Sequence, residues 1–199
     1  MDILQAILNL FIRYGYFFLF FATALENIPV VGMFLPGEVI VVAAGFFAAS
    51  GKFDVAAVIL IAALGAFLGT ICSYALGFWG GRSFLEMLAT KLRVDGDRLN
   101  SADRYFTTHG HITVFVGRYL SGIKAFIPAL AGAHRMRFGT FLLFASLAIV
   151  TWTVLATGLG YFFGANWPLL MKIIRTAGWL ILLLAALIIG LIWYRRRGR

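Results

Sequence analysis

Residues 26–47 read ENIPVVGMFLPGEVIVVAAGFF. Two carboxylates, Glu26 and Glu38, stand here with two prolines and three glycines among residues that belong in oil. Pro36 has no N–H, and its ring hinders continuation of a preceding helix. Gly37 admits a positive φ. Glu38 then opens a fresh apolar run, Val39-Ile40-Val41-Val42. The stretch predicts one helix that stops and another that starts at Pro36-Gly37. The acid falls at the new N-terminus, where backbone N–H groups and the helix dipole favour an anion.

The rest of the chain identifies the solvent. Of 199 residues, 62% are hydrophobic and 13% charged, against about 25% charged in an ordinary soluble domain. One small core cannot hide that apolar surplus, so the chain reads as an integral membrane protein. Residues 55–81, 138–164 and 176–194 carry no charged side chain. Each run is near or above the roughly 20 residues a helix needs to cross a bilayer. Residues 1–25 make a further, N-terminal helix. Ala22-Thr23-Ala24 has the look of a signal-peptidase site, but Asp2, Arg13 and the lack of an early basic cluster argue against cleavage. Cys72 lies within a span without a second thiol and reads as a small core residue.

The net charge is +9. The basic residues sit between and after the spans, so they speak for topology and anionic headgroups, with no nucleic-acid partner expected. The arginines of residues 195–199 follow the last span and belong in the cytoplasm. Residues 82–110 form a cytoplasmic amphipathic segment. Arg82, Lys91, Arg93, Arg98, Arg104, Arg135, Arg137 and the tail arginines then share the inside, against Lys52, Lys172 and Arg175 outside.

This orientation leaves residues 26–54 beginning and ending outside, and residues 111–137 beginning and ending inside. Each segment is too long for a turn, too apolar for water, and interrupted by Pro and Gly. The breaks fall at Pro36 and Gly37 in the first, and at Gly117, Gly122 and Pro128 in the second. Both read as re-entrant hairpins, since broken backbone at membrane depth is tolerated only where it is buried in protein or lines a wet cavity. The expected fold is an all-α polytopic membrane protein. Two oppositely oriented hairpins and the spans at 55–81 and 138–164 form an inverted repeat, with a C-terminal span at 176–194.

The hairpins carry Glu26 and Glu38 on one side and Arg118 and Lys124 on the other. A charge at the centre of a spanning helix costs about 2.5–3.5 kcal/mol even on lenient scales. These four groups must therefore be paired, protonated or facing water, and they are expected to meet near mid-membrane. Arg118 can grip a phosphate through two N–H groups, and Lys124 offers a point charge. Two plainer readings stand beside this one: salt bridges that only tie the hairpins together, and snorkelling of the cations to an interface. Gly65 and Gly69 form a GxxxG, which means close helix packing. His109, His111 and His134 read as interfacial residues. No metal site, cofactor or enzymatic motif is expected.

Glu26-Asn27, Phe34-Leu-Pro-Gly-Glu38, the region from Gly65 to Tyr74, Gly80-Gly81-Arg82, Gly117-Arg118-Tyr119, Pro128-Ala-Leu-Ala-Gly132 and Met136-Arg137-Phe138 together resemble the DedA family of membrane proteins, also called the SNARE-associated or VTT-domain family. The resemblance covers about residues 15 to 165. It implies two opposed re-entrant hairpins and lipid transport across a bilayer, often dependent on the proton gradient. Bacterial members include flippases for undecaprenyl phosphate; eukaryotic relatives scramble phospholipids. By the same resemblance, Glu38 is the acid of the F-x-P-G-E motif, Glu26 the acid heading the first hairpin, and Arg118 the arginine of G-R-[FY]. Lys124 stands where a second arginine is common, Ser121 where proline is common, and Thr70 where many members have an acid.

The expected function is a flippase for an anionic lipid phosphate such as undecaprenyl phosphate in the bacterial inner membrane. Arg118, Lys124, Glu38 and Glu26 bind substrate, and Glu38 and Glu26 couple protons. The alternatives are a proton-coupled cation or drug antiporter and a phospholipid scramblase. Expected partners are membrane lipid and protons, with a homo-oligomer left open.

Overall fold

The computed structural model describes residues 3–29, 31–33, 35–91, 104–120 and 124–166. The expected C-terminal span at 176–194, the tail at 195–199, most of the polar stretch before residue 104, and Gly122 lie outside the described residues. Everything regular among the described residues is helical. The order is α1 (Ile3–Glu26), a 3-10 turn (Val31–Met33), α2 (Gly37–Ala49), α3 (Val55–Lys91), residues 104–109 of α4, α5 (His111–Gly117), α6 (Phe126–Ala133) and α7 (Phe138–Ala165).

Two stretches, Val55–Gly81 and Phe138–Ala165, are long and apolar enough to cross a bilayer. Their apolar side chains face outward as well as inward: Leu60, Leu64 and Leu68 on α3 and Leu143, Leu147 and Leu155 on α7 are all exposed. An all-round apolar surface is what lipid, unlike water, tolerates. The helical run of α3 bends at Gly81, whose φ of 60° and ψ of −159° are not helical. Only glycine takes that conformation cheaply, so the apolar span ends where the uncharged run ends and a short amphipathic helix continues to Lys91.

α2, α5 and α6 are short and pack against the long helices. The break at Pro36-Gly37 is where the sequence puts it, and α2 begins at Gly37 with Glu38 in its first turn. The second break follows Gly117, where α5 ends, and precedes Phe126, where α6 begins. Pro128 is not part of it. Pro128 is the third residue of α6, inside the first turn, where its missing N–H forfeits no helical hydrogen bond.

Glycines bring the backbones together. α2 packs along α7, and α6 along α3. A Cβ on Gly160 would collide with the carbonyl oxygen of Val42, and one on Gly45 with that of Thr157. The other pair repeats the arrangement: Gly77 faces the carbonyl of Ala129, and Gly132 that of Tyr74. Gly65 and Gly69 sit against the carbonyls of Phe20 and Ala24, so the GxxxG face of α3 packs on α1.

Apolar packing forms two separate clusters. One gathers Leu19, Val41, Ala44, Phe53, Val58, Ala62 and Ala156 from α1, α2, α3, α7 and the turn after α2. The other gathers Tyr74, Leu85, Phe106, Val114, Ile127, Leu130 and Phe141 from α3 to α7. Glu26, Asn27, Thr70 and Ser73 are buried yet belong to neither.

Candidate functional site

α1 delivers the first two groups. Thr23 donates to the Leu19 carbonyl at 2.8 Å, and the Asn27 side chain donates to the Thr23 carbonyl at 2.6 Å. These bonds satisfy the end of α1 while turning Glu26 and Asn27 inward, where they are only 4% and 5% exposed. Gly37 makes room for the Glu26 carboxylate, because a Cβ there would run into Glu26 Oε2. The first acid thus lies against the start of α2, beside the second acid, Glu38. Both anions benefit from the same helix N-terminus.

The cations come from the break between α5 and α6, which is anchored at both ends. Tyr119 and Thr151 share a hydrogen bond of 2.6 Å that fixes the start of the break to α7. Ser73 donates to the Ala125 carbonyl at 3.1 Å and fixes its end to α3. Lys124 Nζ then reaches Glu26 Oε1 at 2.6 Å and also donates to Glu38 Oε1. Its partners differ in setting: the Glu26 side chain is 5% exposed and that of Glu38 43%.

Arg118 takes a different position. Its Nη1 donates to Asn27 Oδ1 at 2.9 Å, and its guanidinium lies 4.7 Å from the centroid of the Trp152 ring. Among the described residues no carboxylate lies within salt-bridge distance of it, and its Nε is buried with no hydrogen-bond partner. Thr70 donates to the same Asn27 oxygen at 3.5 Å. Asn27 is therefore the hub that ties Arg118 to α1 and α3.

The four groups singled out by sequence converge, and their formal charges sum to zero. The neutrality is uneven. Lys124 serves two carboxylates, leaving that trio one charge negative, while Arg118 is held across an amide and an aromatic face. Arg118, Lys124 and Thr70 line a small cavity of about 20 Å³ whose other walls are apolar, including Val114, Ile127 and Ile149. An orphaned guanidinium N–H costs about 1–3 kcal/mol or more, so Arg118 keeps a donor that an added acceptor would satisfy. Thr70 faces this cavity as a hydroxyl and brings no charge.

Two members were not singled out by sequence reasoning. Asn27 offered a signal, an amide beside a carboxylate in an apolar run. Trp152 offered none, since an aromatic residue in a spanning helix is ordinary.

Residues 35–162 match the VTT domain family. An uncharacterized membrane protein of Synechocystis sp. is 35% identical over 161 residues, which is 81% of this chain and 72% of that protein. The uncharacterized membrane protein YkoX of Bacillus subtilis is 31% identical over 166 residues, 83% of this chain and 72% of its own. Undecaprenyl phosphate transporter A, also of Bacillus subtilis, is 27% identical over 157 residues, 79% of each chain. No solved structure matches the chain.

Proposed function

Because the chain belongs to the VTT-domain family of membrane proteins, the DedA family, we propose that it is a transporter, and no enzyme, that moves an anionic lipid phosphate across the bacterial inner membrane. The observation that carries the reading is Arg118, a guanidinium with a buried, unpartnered N–H on a cavity it shares with Lys124. The name of one relative, undecaprenyl phosphate transporter A, supports a lipid phosphate as the substrate class.

In this reading residues 26–54 and 111–137 are opposed re-entrant hairpins, with α1, α3, α7 and the apolar run at 176–194 crossing the bilayer and the C-terminus in the cytoplasm. The paired contacts support an inverted repeat: α2 on α7 answers α6 on α3, and α1 on α3 answers α5 on α7. The phosphate is gripped by Arg118, which needs a partner, and by Lys124, which must first be released. Protonation of Glu38 or Glu26 weakens their hold on Lys124 and frees it for the phosphate. Substrate binding is thereby coupled to proton uptake, and the lipid tail stays in the bilayer. Thr70, neutral where many members have an acid, leaves Glu26 and Glu38 as the coupling carboxylates.

The test is Arg118→Ala in proteoliposomes loaded with undecaprenyl phosphate. The expected result is loss of transport with normal insertion; unchanged transport removes the phosphate role. A cation or drug antiporter is the competing reading, and proton-driven cation exchange in vesicles free of carrier lipid would favour it.

A further inference from the structure

The two cations of the central cluster are held by opposite chemistry. Lys124 lies between two carboxylates, Glu26 and Glu38. Arg118 is held by neutral groups: its Nη1 donates to Asn27 Oδ1 at 2.9 Å, and its guanidinium lies 4.7 Å from the centroid of the Trp152 ring. An amide oxygen and an aromatic face both attract a cation without bringing a formal charge. Arg118 is thereby oriented and keeps its positive charge uncancelled by these contacts.

The side chain at position 27 does two things at once. Its Nδ2 donates to the Thr23 carbonyl at 2.6 Å, while its Oδ1 accepts from Arg118 and from the Thr70 hydroxyl at 3.5 Å. A carbonyl only accepts and a guanidinium only donates, so these partners ask for one donor and one acceptor on a short side chain. The asparagine amide supplies both. A carboxylate there would accept on both sides, leaving the Thr23 carbonyl without its donor and giving Arg118 a permanent counter-ion. With Nη1 spent on Asn27 and a ring against the guanidinium, the Nε edge remains, and Nε is buried with no hydrogen-bond partner. Arginine offers its donors in a fixed fork that matches phosphate oxygens, and Arg118 lines one cavity with Lys124.

We propose that Asn27 and Trp152 are positioning residues that hold Arg118 without neutralising it, so that the Nε edge of its guanidinium is kept for the phosphate of the lipid. This role rests on the transport reading and names what lets the site select an anion.

Undecaprenyl phosphate binding to the full-length protein in neutral detergent, titrated by native mass spectrometry with uncharged undecaprenol as the reference lipid, tests it. Asn27→Asp should weaken the phosphate-dependent binding about tenfold, the scale of one charge-assisted hydrogen bond. Asn27→Ala, which removes the hold but adds no counter-ion, should weaken it less. A purely structural Asn27 predicts the reverse order, because the aspartate still bonds Arg118. Trp152→Leu should weaken binding about fivefold, the scale of one cation–π contact, and Trp152→Phe, which keeps an aromatic face, should restore it. Arg118→Ala separates this role from its premise. Wild-type binding by Arg118→Ala removes the phosphate site and the positioning role with it. Loss of binding in Arg118→Ala with wild-type binding in Asn27→Asp overturns the positioning role alone. If Asn27→Asp does not insert, Asn27→Ala and Trp152→Leu decide, and wild-type affinity in either overturns the proposal.

Discussion

At the scale of single residues, the two carboxylates held by Lys124 are not equivalent. Glu26 is nearly sealed, while Glu38 keeps 43% of its side chain exposed. Removing the shared cation leaves a buried charge uncompensated, which typically costs about 3–5 kcal/mol. Lys124→Met should therefore lower thermal stability sharply. Glu38→Gln removes only the outer, solvent-screened half of the arrangement and should cost about 1 kcal/mol or less. Thermal unfolding of both variants in one detergent checks the order, and equal losses would mean that the two carboxylates share the cation evenly. All four charges were legible in the sequence because each is expensive in an apolar setting. Their pairing was not. Whether Lys124 or Arg118 meets the acids depends on where the break between α5 and α6 is anchored, and those anchors are single hydrogen bonds from Tyr119 and Ser73 that leave no trace in periodicity. Trp152 was missed because a lone indole in a spanning helix is unremarkable, and Asn27 because its amide was overshadowed by the costlier carboxylate beside it.

At the scale of helices, glycine divides into two kinds. Gly160 touches the backbone of α2, whereas Gly158, two residues earlier on α7, has open space around it. Gly158→Ala should stabilise the protein by about 0.5–1 kcal/mol through helix propensity alone. Gly160→Ala should destabilise it by about 1–3 kcal/mol, because two backbones must part. Melting temperatures moving in opposite directions are the expected signature. Breaks and spans were the most readable elements: the uncharged run stops at Gly81, and so does the helix, while Pro36-Gly37 separates two helices as its chemistry requires. Pro128 misled because proline breaks a helix interior but suits a first turn, and the start of α6 has no polar cap that would reveal which applies.

At the scale of the whole molecule, the proposed topology sends Lys52 and the turn containing Arg135 to opposite faces. In a Cys72→Ser background, Lys52→Cys should react with a membrane-impermeant maleimide in intact cells, and Arg135→Cys only after permeabilisation. The reverse pattern would invert the orientation. The all-helical class and the two long apolar helices were legible because apolar length is a property of long stretches, whereas the partition of the interior into two apolar clusters, with Glu26, Asn27, Thr70 and Ser73 in neither, depends on contacts between distant segments. The charges of the central cluster also bear on energetics. Two acids and two bases give the resting centre no net charge, and a membrane potential does about 2.3 kcal/mol of work per 100 mV only on each elementary charge that moves across the field. With all four groups ionised, the centre carries no net charge through the field. A singly charged headgroup moving alone makes turnover electrogenic; the same headgroup moving with one proton makes it electrically silent. Clamping the voltage across proteoliposomes at fixed pH difference would separate the two, and silence is the outcome expected if carboxylate protonation admits the substrate.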